Sequence, residues 1–86
     1  MKLNQLLRLV ANLSEIVHEE VANLVFRSVA PDEQLLESGL LDSITVVDLS
    51  VALEEHLDIK IPFTDIDATN FQTVNSICNY LQTLIP

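Results

Sequence analysis

Ser43 is the residue around which chemistry could be built. It follows Asp42 directly and stands four positions after Gly39, the one glycine in the chain. A serine hydroxyl in such a place either attacks a substrate or is itself a point of attachment. Attack needs a base to take the proton and donors to hold an oxyanion. His18 and His56 are the two histidines available, yet no Gly-x-Ser-x-Gly elbow surrounds Ser43, and 86 residues leave little room for a cleft. Both histidines read as helix-surface residues. Attachment asks for less. A helix N-terminus stabilises an anion joined to the hydroxyl, such as a phosphodiester. Gly39 relaxes the backbone upstream and allows a turn that presents the residues after it, and Ser43 itself reads as the N-cap of the next helix.

Nothing else in the sequence offers comparable chemistry. Cys78 is the only cysteine, so there is no intramolecular disulfide and no cysteine metal cluster; the apolar rhythm of "SICNYL" makes it a buried small hydrophobe. "DIDATN" at 65–70 resembles the start of a calcium loop, but Asn70 stands where that loop needs glycine and Ser76 where it needs a bidentate glutamate. The expectation is no catalytic residue and no metal site.

The elements that must position Ser43 can be read from apolar spacing. Leu3, Leu6, Leu7, Val10, Leu13, Val17, Val21, Leu24 and Val25 recur at helical intervals and predict one long helix, or two if "NLSE" acts as a capping box with Asn12 and Glu15. The single helix is preferred. "APDEQLLESGLLD" is then a long loop punctuated by Pro31 and Gly39. A second helix runs from about Ser43 to Leu57 and is ended by "DIKIP", where Pro62 holds Ile61 extended. "FTDIDATNF" has room for a short helical turn only. Thr73 caps a last helix to about Leu84, with Val74, Ile77, Cys78, Leu81 and Leu84 or Ile85 inward. No segment alternates with period two. The fold class is all-α: a single-domain, small four-helix bundle with a long loop between helices one and two and a short third helix.

The second helix carries more apolar surface than a core needs. Val46, Leu49, Leu53 and Leu57 make one stripe suited to a core. Ile44, Val47 and Val51 fall on a different face, flanked by Asp48, Glu54 and Glu55. Such an exposed strip with an acidic rim has the character of a docking surface. Charge supports this. Residues 1–27 balance three basic against three acidic side chains, whereas 28–86 hold ten acids against Lys60 alone, so the net −9 lies entirely in the second part. Nucleic acid is excluded as a partner, because binding a phosphate backbone requires clustered Lys and Arg. Proteins with basic patches are favoured. No run reaches membrane-span length and no signal peptide is evident, so a soluble, cytoplasmic monomer is expected.

"ESGLLDSI", the helix ending "ALEEHLDIKIP", and "NFQTVNSICNYL" together resemble the acyl carrier and peptidyl carrier protein family over residues 35–85. The family pattern Gly-x-Asp-Ser-Leu reads here Gly39-Leu40-Leu41-Asp42-Ser43-Ile44, with one extra residue and Ile for Leu. The resemblance implies 4′-phosphopantetheine on Ser43, transferred from coenzyme A by a phosphopantetheinyl transferase that uses Mg²⁺. The arm's thiol would carry an acyl or aminoacyl group as a thioester. Asp42 would lie in the transferase interface, and Ile44, Val47, Asp48, Val51, Glu54 and Glu55 would meet that enzyme, an acyl- or aminoacyl-loading enzyme and downstream transferases or synthases. "ESGLLDS" looks less like housekeeping fatty-acid carriers than like discrete carriers of dedicated pathways, D-alanyl carriers and carriers loaded by adenylating enzymes among them. The alternative from another class is a helical adaptor docking through the same strip with no prosthetic group.

Overall fold

Helix α1 runs unbroken over Leu3–Val25, so "NLSE" does not interrupt it. The computed structural model describes the backbone of residues 3–85 and the side chains of residues 12–85. The expected core positions Leu3, Leu6, Leu7 and Val10 lie outside the described side chains; Leu13, Val17 and Val21 are buried as their spacing requires. The chain leaves α1 through Phe26, whose positive φ of 59° takes it out of helical geometry.

Among the described residues three further helices come after it: α2 (Thr45–Leu57), α3 (Ala68–Phe71) and α4 (Val74–Leu84), with a 3₁₀ turn at Phe63–Asp65. α1 packs against α2 and α4, and α3 packs on α4. All regular structure among the described residues is helical, an acyl-carrier-like small bundle with a long first loop and a short third helix. The core stripe of α2 is as expected: Val46, Leu49, Leu53 and Leu57 are all buried. On α4, Val74, Ile77, Cys78 and Leu81 point inward. Burying a leucine or isoleucine side chain contributes about 1.5–3 kcal/mol, so these stripes supply a large share of what holds the helices together.

The ends of the helices obey local chemistry. Thr73 and Ser76 form a reciprocal capping box at the start of α4: the Thr73 hydroxyl accepts from the Ser76 amide and the Ser76 hydroxyl from the Thr73 amide, each at 3.0 Å. Asp67 caps α3 by accepting from the Asn70 amide at 2.9 Å. α2 stops earlier than Pro62 would stop it. Asp58 adopts left-handed geometry (φ 53°, ψ 51°), and the Ile59 amide turns back to the Glu54 carbonyl at 3.2 Å. Aspartate tolerates that conformation better than most residues, and it satisfies an end carbonyl before the proline is reached.

The long loop is anchored rather than loose. Val29, Leu35 and Leu41 insert into the core, and the loop bonds to the α3–α4 corner through Leu35 N to Gln72 O (2.7 Å) and Asn75 N to Pro31 O (3.1 Å). Gly39 has φ +81° with open space where a Cβ would stand. It is needed there for its backbone conformation and not for a close approach.

Candidate functional site

Asp42, not Ser43, caps α2. Its Oδ1 accepts from the Ile44 and Thr45 amides, both at 2.9 Å. In return the Asp42 amide donates to the Thr45 hydroxyl at 2.8 Å. The Val46 amide already reaches back to the Asp42 carbonyl at 3.0 Å, so helical bonding begins at Asp42. This is a capping box in which Asp42 and Thr45 satisfy each other's orphan donors. The expectation that Ser43 is the N-cap is therefore corrected by one residue: a carboxylate with two acceptor oxygens outcompetes the neighbouring hydroxyl for the same amides. The bonds, led by the one from the Thr45 amide, hold the Asp42 carboxyl below the usual carboxylate range.

Ser43 is thereby released from capping. It is exposed in the first turn, and its hydroxyl has no protein hydrogen-bond partner among the described residues. Beside it lies an open, mainly apolar groove of about 400 Å³. It is lined by Leu36 and Leu41 of the loop, Val46 and Val47 of α2, and Phe63, Ile66 and Ala68 from the segment that runs into α3. The segment carrying Phe63 and Ile66 is fastened to α4 by the Tyr80 hydroxyl, which donates to Asp65 Oδ2 at 2.6 Å. Burial first, and then the bond to Asp65, push the Tyr80 phenol far up, so this bond keeps its proton.

Neither histidine serves Ser43. His18 Nε2 lies 3.0 Å from the Ser28 hydroxyl and accepts from the Val29 amide at 3.4 Å. His56 Nδ1 pairs with Glu20 at 3.2 Å. Cys78 is buried, and burial raises its thiol pKa, as befits an inert packing residue.

The exposed apolar-acidic stripe on α2 is narrower than its sequence suggests. Ile44 is 71% exposed and Val51 46%. Asp48 and Glu55 are exposed beside them. Ile44, Asp48, Val51 and Glu55, spaced by four, three and four, line one stripe in which apolar and acidic residues alternate. Val47 does not belong to it; it is half-buried against the core and lines the groove. Glu54 is also engaged, since its Oε2 accepts from the Ile61 amide at 2.8 Å. Both sit rotated toward the core side of the stripe. Counting apolar intervals could not distinguish a residue at the margin of the core from one clear of it.

Sequence reasoning missed Phe63, which is 76% exposed at the rim of the groove. The signal for it was an aromatic directly after Pro62, outside any helical stripe. It also missed Leu36 and Leu41 as groove walls, because residues inside an irregular loop have no period to reveal which way they face.

A short helical bundle that offers an uncommitted serine at a helix start, over an apolar groove, has the design of a carrier of a covalently held group. Similarity to known proteins agrees. The family model described as "Phosphopantetheine attachment site" matches residues 4–81, and the chain belongs to that family. It is 43% identical over 54 residues to the D-alanyl carrier protein of Bacillus subtilis (strain 168), covering 63% of this chain and 69% of that one. It is 34% identical over 65 residues to the D-alanyl carrier protein of Streptococcus mutans serotype c, covering 76% and 75%. The protein is a carrier: it holds its cargo as a thioester on a covalently attached 4′-phosphopantetheine arm and presents it to partner enzymes. This separates it from a helical adaptor without a prosthetic group.

Proposed function

We propose that Ser43 is the attachment point and that the cargo is a small aminoacyl group of the D-alanyl kind. The observation that carries the first part is the division of labour at the turn. Asp42 supplies the cap, leaving the Ser43 hydroxyl exposed and, among the described residues, without an internal bond to break before it can be esterified. The new phosphodiester would sit at the amide-rich start of α2, where a negative charge is favoured. The second part rests on similarity to carriers named for D-alanine.

The arm supplies a terminal thiol for thioester chemistry; this chain supplies the anchor, the groove and the recognition stripe. It performs no catalytic step of its own. A phosphopantetheinyl transferase would load Ser43 from coenzyme A in the cytoplasm, with Asp42 at that interface. An aminoacyl-loading enzyme would then dock on Ile44, Asp48, Val51 and Glu55, with Phe63 and Val47 closer to the arm. No helix among the described residues is long and apolar enough to cross a membrane.

The test is intact mass after incubation with coenzyme A, Mg²⁺ and a broad-specificity transferase. Wild-type protein gains one phosphopantetheine and Ser43→Ala gains none. Modification of the alanine variant would move the attachment elsewhere. Supplying D-alanine, other amino acids or fatty acids with a matching loading enzyme then reads the cargo.

A further inference from the structure

Gln72 sits at the junction of α3 and α4, far in sequence from Ser43, and grips the loop that leads to it. Three successive loop amides end on this one residue: Leu35 N on its carbonyl at 2.7 Å, and Leu36 N and Glu37 N on its Oε1 at 3.1 and 3.0 Å. Leu36 and Glu37 have no other acceptor for these amides among the described residues. The side-chain amide orientation is fixed by chemistry, since only its oxygen can accept from two N–H groups. From here the loop passes its geometry forward. Leu36 O accepts from Gly39 N at 3.1 Å and Leu35 O from Leu41 N at 2.9 Å, and Asp42 and Ser43 come next. Leu36 is also a wall of the groove.

We propose that Gln72 is a positioning residue for loading: by holding residues 35–37 it fixes both the approach to Ser43 and one wall of the groove. This rests on Ser43 being the attachment point. Without the clamp the loop would sample several arrangements, and a transferase that binds only one of them would see its apparent affinity reduced by that fraction. The step after docking would be untouched, because Gln72 is not needed to react. Its side-chain NH₂ has no protein partner among the described residues, so a glutamate can take its place as acceptor.

The experiment has two arms on the full chain. Amide hydrogen exchange of wild type should show Leu36 and Glu37 protected well above the Ser43 amide, and Gln72→Met should lose that protection while the α4 amides keep theirs. In transferase kinetics, Gln72→Met should raise KM on the order of tenfold with kcat little changed, and Gln72→Glu should restore it. Unprotected Leu36 and Glu37 in wild type, an unchanged KM in Gln72→Met, or a KM that Gln72→Glu leaves raised would each overturn the proposal. Should Gln72→Met fail to fold, Gln72→Asn, one methylene too short to reach, takes its place under the same criteria, and the wild-type exchange stands independently. Peptide mapping of loaded wild type shows separately whether the arm is on Ser43, so a wrong attachment site cannot be mistaken for a wrong clamp.

Discussion

Asp42 and Thr45 cap α2 reciprocally, carboxylate to amide at 2.9 Å and amide to hydroxyl at 2.8 Å. Every bond that a serine could have made at this helix start is made by these two residues. The turn is thus held without the Ser43 side chain, and the proposed esterification of Ser43 need not loosen it.

That arrangement has a thermal signature. Ser43→Ala should melt close to wild type, within about 0.5 kcal/mol of its stability, as expected for an exposed side chain without partners among the described residues. Asp42→Ala should melt clearly lower. The effect is also pH-dependent. The Asp42 carboxyl is depressed by its bonds to Thr45 and Ile44, so it adds stability above its unfolded value of about 4 and loses that contribution as pH falls through the lower folded value. Asp42→Asn keeps an oxygen to accept the amides but does not titrate. Its melting temperature should therefore decline less than wild type's as pH is lowered below about 4. Parallel declines would show that Asp42 is not a source of acid lability.

The acidic residues of α2 should divide into two groups. Asp48 and Glu55 are exposed on the stripe, so Asp48→Lys and Glu55→Lys should slow association with a loading enzyme, and wild-type loading should weaken as salt is added. Glu54 holds the Ile61 amide, so Glu54→Ala should cost roughly 1 kcal/mol of stability through the lost bond. Stopped-flow association at two ionic strengths and thermal melts of the three variants check this. Equal rates throughout would reduce the charge to a solubility feature.

What the sequence made legible was whatever carries a period or a fixed cap. The α2 core stripe, the Thr73 cap and the all-helical class each come from residues spaced by three, four or seven, or from one side chain reaching its own helix end. Ser43 was singled out through its neighbours, not through any rhythm, and its role as the attachment point stands as a proposal. The remainder depends on contacts between distant segments. Gln72 meets Leu36 and Glu37 across more than thirty residues, and nothing local in "NFQTV" announces that. The shift of the cap from Ser43 to Asp42 is subtler: adjacent residues were both competent, and the choice was set by which had the stronger acceptor. Val47 is less exposed than its spacing suggests, because a helix face grades continuously from buried to exposed, and its margin is set by the packing of the bundle around it.

The graded face gives the last prediction. Val51 and Ile44 stand clear of the core, at 46% and 71% exposed. Val51→Ala and Ile44→Ala should each change stability by no more than about 0.5 kcal/mol. Both should still impair loading, since truncating a central apolar contact in a small interface costs on the order of 1–2 kcal/mol of binding. Leu49 and Leu53 are wholly buried, and their alanine variants should lose roughly 2–5 kcal/mol of stability. Val47→Ala should fall between the two pairs, because Val47 both packs on the core and lines the groove beside Ser43. It should lose some stability and some loading together. Denaturant unfolding and a loading assay on the five variants place each on both axes. If Val51→Ala unfolds as readily as the leucine variants, the stripe is core and the partner surface must be sought elsewhere. If Val47→Ala is as stable as Val51→Ala, Val47 is less tightly joined to the bundle than its burial indicates.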